Sequence, residues 1–177
     1  MINLFNIENY TIDTSKFENV LHGSIVNEFE EAFAEYVGAK YACSANSASS
    51  LLYLSMLQYK KATVSLPSTI PIVVPNIIVN TNNIIDFRDD TSWVGHCYNL
   101  HDNIYDSAQE VTKNQFKKHS HNDIVIFSFY PTKPVGSCDG GMVVSNNKTT
   151  IDWYKTMTMN GTTKQRDSWK RLHTKPG

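Results

Sequence analysis

Apolar positions along this chain recur with two periods, and the switches between them mark out its elements. From Val26 to Val37, the residues Val26, Phe29, Phe33, Tyr36 and Val37 share one helical face while Glu28, Glu30, Glu31 and Glu35 fall mostly on others, which predicts an amphipathic helix. Its acids are weighted to the start, where the helix dipole favours them, and Gly38 follows as a C-cap. AKYACSA then reads as a short strand, running through NSASS into a second apolar helix from Leu51 to Tyr59. ATVSLPS gives a strand. In TIPIVVPNIIV, Pro71 and Pro75 rule out one uninterrupted helix, so a short, kinked or late-starting one is expected.

IIDFRDD predicts a strand ending in acids, and NIYDSAQ another with Asp106 at its exit. After a polar linker from Lys113 to Asn122 comes DIVIFSFYPTKPVGSCDGGMVVSN: a buried strand, a loop carrying Lys133 and a glycine pair, and a return strand. TTIDWYKTMTM closes the pattern as a helix, with Ile151, Tyr154 and Met157 at helical spacing. Strands alternating with helices predict a single α/β sheet covered by helices on both sides. The final segment, NGTTKQRDSWKRLHTKPG, is polar and basic with little periodicity, and reads as a loose tail or as the interior of a larger fold.

Composition narrows the function without naming it. The 177 residues suffice for one domain with a real core, and a net charge of −1 gives no general field for nucleic acid or an anionic membrane. No stretch is long enough to cross a bilayer and the start is not that of a signal peptide, so a soluble, cytoplasmic chain is expected. Three cysteines without a CxxC pair suggest neither a disulfide framework nor a thiolate metal site, and the six histidines carry no zinc spacing.

The candidate chemistry gathers at the carboxyl ends of strands, where an open α/β sheet keeps its crevice. The strand ending at Ser128 delivers Lys133 a few residues past its end. A lone loop lysine is most often a solvated surface charge. The turn at Ser47, Ala48 and Ser49 either caps the following helix through Asn46 or Ser47 or cradles an anion on its backbone N–H groups. A lysine amine can form a Schiff base with an aldehyde, a carboxylate such as Asp106 can keep a pyridine nitrogen protonated, and hydroxyls with helix N–H groups can hold a phosphate. Together these describe a pyridoxal phosphate site.

The ordered set GSIVNEFEEAFAEYVGAKYACSANSASSLL, LPST, IYDSAQE and FSFYPTKPVGSCDGGMVVS, spanning about Asn19 to Gly161, resembles the amino-terminal part of the DegT/DnrJ/StrS family of sugar aminotransferases. The resemblance implies the three-layer α/β/α large domain of fold-type-I pyridoxal-phosphate enzymes, with a mostly parallel mixed sheet. It makes Lys133 the lysine that bonds the cofactor and shuttles a proton, and Asp106 the acid facing the pyridine nitrogen. Gln109 matches a residue beside the ring hydroxyl, Ser128 a phosphate ligand, and Ala48 and Ser49 a pair whose backbone N–H groups also bind the phosphate. Gly140 and Gly141 match a glycine pair required by the backbone.

The implied reaction moves an amino group, with glutamate as donor, to a nucleotide-linked keto sugar in polysaccharide or amino-sugar biosynthesis. Family dehydratases carry histidine where Lys133 stands, which favours transamination. The implied assembly is a homodimer with its active site at the subunit interface. Residues 1–177 would form the cofactor-binding large domain of a protein about twice as long, with the carboxy-terminal small domain absent. A noncatalytic, split or truncated member acting as a binding or assembly partner is the alternative. Three departures stand out: Ala48-Ser49 replaces the usual Gly-Thr, Pro71 stands near where a ring-stacking aromatic is common, and DFRDDTSWVGHCYNL is shorter and more acidic than usual.

Overall fold

The computed structural model describes residues 11–16 and 23–161. Positions 19–22 of the resemblance and positions 162–177 of the basic end segment lie outside the described residues. The elements are α1 (Ser24–Val37), β1 (Tyr41–Ala45), α2 (Ala48–Met56), β2 (Thr63–Pro67), α3 (Val73–Asn80), β3 (Ile84–Arg88), β4 (Tyr98–His101), β5 (Ile104–Asp106), β6 (Ile124–Ser128), β7 (Gly141–Ser145) and α4 (Lys148–Met157).

Helix α1 forms where its period places it, but the buried stripe is rotated. Glu30, Phe33, Ala34 and Val37 face inward, whereas Val26, Phe29 and Tyr36 are exposed. Glu30 belongs inside because its carboxylate accepts the Ser44 N–H at 2.8 Å and hydroxyl at 3.0 Å and pairs with Lys155 at 2.7 Å. The helix starts at Ser24, so its acids miss the first turn. Gly38 ends it in the left-handed region, φ 80°, as a C-cap requires. Helix α3 starts late, at Val73, which puts Pro75 in its first turn, where a missing N–H costs no helical bond.

The main sheet has five strands in the order β1-β7-β6-β5-β4. The pair β5–β6 is parallel, while β1–β7, β6–β7 and β4–β5 are antiparallel, so β1, β5 and β6 run one way and β4 and β7 the other. The expected single sheet is instead divided: β2 and β3 form a separate parallel pair. The reason lies in β4, which folds back on β5 through a hairpin with Asp102 at φ 47° and occupies the sheet edge. No ladder joins β4 to β2, and the two sheets are connected by side chains, with Val64 and Leu66 sharing a core with Leu100 and Ile104.

Helices cover both faces of the main sheet. Cys43, Ile104, Ile124, Ile126 and Val143 pack with α2, α3 and α4 through Leu51, Met56, Ile78, Ile151 and Tyr154. On the opposite face Ala42, Val125, Phe127, Met142 and Val144 pack with Phe33, Ala34 and Val37 of α1. The interval expected to be a polar linker also contributes here, since a 3-10 turn at Gln115–Lys118 buries Phe116 against α1's layer. Strand β6 is buried on both faces, which is why it reads as an almost unbroken apolar run.

Candidate active site

Strands β5 and β6 end side by side, Asp106 pairing with Ile126 in register, and their exits open into one cleft. Its walls are Pro71, Trp93, His96, Tyr98, Asp106, Ala108, Gln109 and Lys133, enclosing about 250 Å³ that includes space open to solvent. Three of the residues expected from the sequence, Lys133, Asp106 and Gln109, thus meet in one place.

Asp106 is the buried acid of this cleft. Its Oδ1 accepts the Ala108 N–H at 2.9 Å and its Oδ2 accepts the Tyr98 hydroxyl at 2.9 Å. Burial raises its carboxyl above the ordinary range, against the Ala108 N–H, the Tyr98 hydroxyl and the Lys133 charge, which favour the ionised form. Tyr98 is pushed far above the ordinary phenol range by its own burial and by Asp106, so it keeps its proton and is the donor in the pair.

Lys133 comes to the cleft on a tight turn. Its N–H bonds the Tyr130 carbonyl at 2.9 Å, and the Tyr130 N–H bonds the Ser128 hydroxyl at 3.3 Å, so the turn is built directly on the end of β6. Gly136 packs against this turn so closely that a Cβ there would lie 3.1 Å from the Pro131 carbonyl carbon. Gln109 reaches the cleft too, but its side-chain oxygen accepts the Gly95 N–H at 2.6 Å, which leaves its NH2 group for any ligand.

Ala48, Ser49 and Ser128 lie outside the cleft walls and form a second cluster. Ser47 caps α2 by accepting the Ser50 N–H at 3.2 Å, so the cap forms and Ala48 and Ser49 occupy the first turn at the positive end of the helix dipole. Gly141 ties that helix start to β6: it pairs with Ser128, and its backbone abuts Ser47 and Ala48. Gly140 adopts φ 136°, a conformation side chains rarely take, so the glycine pair serves the backbone. The two clusters are joined through Ser128 and the Lys133 turn.

The donor set suits pyridoxal phosphate: an amine and a buried carboxylate in one cleft, and a hydroxyl beside a helix N-terminus next to it. Pro71 does line the cleft, and aromatic surface comes instead from Trp93 and Tyr98. Sequence reasoning missed Trp93, His96 and Tyr98. The signal was present in DFRDDTSWVGHCYNL, whose aromatic residues sit among acids just before the Asp106 strand. Among the described residues no group of three or more His, Cys, Asp or Glu side chains is placed to hold a metal ion, and no helix is long and apolar enough to cross a membrane.

Comparison with known proteins follows the same outline. A transaminase from Campylobacter jejuni serotype O:23/36, acting as a UDP-4-amino-4,6-dideoxy-N-acetyl-beta-L-altrosamine transaminase, is 30% identical over 209 aligned residues that cover 91% of this chain and 55% of the relative. The chain therefore spans about half the length of that relative. Among solved structures, NtdA of Bacillus subtilis with bound cofactor PMP superposes with a TM-score of 0.70 at 13% identity, covering 88% of this chain and 44% of that one. Helicobacter pylori PseC, an aminotransferase of pseudoaminic acid biosynthesis, gives 0.60 at 18% identity, covering 98% and 59%. At these identities the likeness shows the shared fold. The model of the DegT/DnrJ/EryC1/StrS aminotransferase family matches residues 6–86 and 104–177, most of the sequence, and the chain belongs to that family.

Proposed function

We propose that this chain is the cofactor-binding large domain of a pyridoxal-phosphate-dependent sugar aminotransferase that transfers an amino group, with glutamate as donor, to a nucleotide-linked keto sugar. The observation that carries the reading is the convergence of Lys133 and Asp106 on one cleft. A lysine paired with a buried carboxylate is what amine chemistry on a pyridine aldehyde needs. The UDP-sugar transaminase from Campylobacter supports a nucleotide-linked acceptor.

When bound, the cofactor supplies a ring that stores the electron pair released as a proton leaves the donor's α-carbon. Lys133 would hold the cofactor through its amine and, once the incoming donor amine has displaced it, would be the free base that takes that proton and returns it. Asp106 holds a proton on the ring nitrogen. The first-turn N–H groups of Ala48 and Ser49, with the Ser128 hydroxyl, would hold the phosphate. Gln109 orients the ring hydroxyl through its free NH2. The working unit in this reading is a homodimer in the cytoplasm, serving polysaccharide or amino-sugar biosynthesis.

The test supplies the protein with pyridoxal phosphate, 15N-glutamate and a UDP-linked keto sugar, and follows the sugar by mass spectrometry. The expected product carries 15N. Label that passes only to 2-oxo acids, with none reaching any nucleotide-linked keto sugar, would replace this acceptor class with amino acids.

A further inference from the structure

Asp106, the last residue of β5, and two side chains of the loop after it grip the stretch from Gly95 to Tyr98, where β4 begins. Gln109 accepts the Gly95 N–H at 2.6 Å, Glu110 accepts the Cys97 N–H at 2.7 Å, and Asp106 accepts the Tyr98 hydroxyl at 2.9 Å. Gly95, Cys97 and Tyr98 all fall between residues 86 and 104, the interval the family model leaves unmatched. The grip therefore joins a segment outside the family pattern to the acid at the centre of the cleft.

We infer that Tyr98 is a positioning residue that fixes the Asp106 carboxylate plane in the cleft shared with Lys133, an inference that rests on the cofactor reading above. The terminal torsion of an aspartate is broad, so a single hydrogen bond leaves its carboxylate free to swing. Here the Ala108 N–H holds one oxygen and the Tyr98 hydroxyl the other. Each oxygen keeps a second lone pair, so both donors can stay in place while a protonated ring nitrogen approaches. The phenol is itself held. Tyr98 pairs with Asp106 in the β4–β5 register, and Trp93 packs edge-on against its ring at 6.3 Å.

Tyr98→Phe removes the hydroxyl and keeps the ring. In the cofactor-free protein, the 13C-detected titration of the Asp106 carboxyl moves to higher pH, because a donor that favours the ionised form is gone. The dissociation constant for pyridoxal phosphate rises about tenfold, the scale of one hydrogen bond to a charged group. In an Asp106→Asn background the same change costs less than about twofold, since Tyr98 acts through Asp106. A fluorinated tyrosine at position 98, a stronger donor of nearly the same size, shifts the Asp106 titration the other way and guards against a folding defect in the phenylalanine variant.

An unchanged Asp106 titration in both variants overturns the inference. So does an equal loss of affinity with Asn at position 106, which would make Tyr98 a packing residue. A wild-type protein that titrates as expected but binds no pyridoxal phosphate overturns the cofactor reading and leaves the Tyr98–Asp106 coupling standing, so the two failures are distinct.

Discussion

Gly141→Ala tests whether the start of α2 and the end of β6 form one phosphate-holding unit. Gly141 opens β7, pairing with Ala45 on one side and Ser128 on the other. A Cβ added there would lie 2.6 Å from the Ser47 carbonyl carbon and 2.7 Å from the Ala48 Cα, and closer still to the Ala48 amide nitrogen. Carbon atoms pack comfortably at about 3.5–4.0 Å, and every clashing atom is backbone, so no rotamer change relieves the overlap and the helix start must move by roughly 1 Å. Overpacking of this kind costs about 1–3 kcal/mol. At about 2–4 °C per kcal/mol for a chain of this size, the unfolding midpoint falls by roughly 2–12 °C.

The same movement carries the Ala48 and Ser49 amides away from Ser128, while Lys133 and Asp106 stay in place. Affinity for pyridoxal phosphate should therefore drop by about tenfold or more, and affinity for pyridoxal, which lacks the phosphate, should hardly change. Gly95→Ala is the control: nothing lies within 4 Å of its Cβ position, and only its φ of +78° opposes the change, at about 1–2 kcal/mol. A Gly141→Ala protein with the wild-type midpoint and the wild-type preference for the phosphorylated form would refute the reasoning.

Two further outcomes follow from buried charge. Because burial raises the Asp106 carboxyl in the folded protein, the native state keeps this proton over a range where the unfolded chain has lost it; the group's contribution to stability is present below that range and falls as pH rises through it. Asp106→Asn in the cofactor-free protein should therefore gain stability relative to wild type as pH rises above the ordinary carboxyl range in thermal melts, while losing the cofactor-linked activity; a constant offset at all pH values would contradict this. Lys155→Met strands the Glu30 carboxylate, whose side chain is only 5% exposed, and should cost about 3 kcal/mol in urea unfolding, with most of it recovered when Glu30→Gln is added.

Much of this fold is readable from local pattern, because its elements are short and its punctuation is strong. Gly38, Ser47 and the Pro71–Pro75 pair act where their chemistry says they should, and β6 betrays its double burial by its apolar run. The failures were of tertiary origin. Glu30 sits on the inward face of α1 only because Ser44 and Lys155 are there to receive it, and neither is near it in sequence. Strand β4 was missed because YNLH has no clear alternation and exists as an edge strand by pairing with β5. That same omission hid Tyr98, whose role depends on facing Asp106 across the hairpin. Lys133, Asp106 and Gln109 were accessible because each lies at or just past a recognisable strand end.

The central claim is that Lys133 is the residue that bonds the cofactor. It is tested most directly by adding pyridoxal phosphate to the purified protein, reducing with borohydride and mapping the modified peptide by mass spectrometry. The expected result is a visible absorption band that reduction abolishes, with the pyridoxyl mass on Lys133 and no band in Lys133→Ala. A wild-type protein that shows no band, or one that carries the mass on other lysines and leaves Lys133 unmodified, would contradict it.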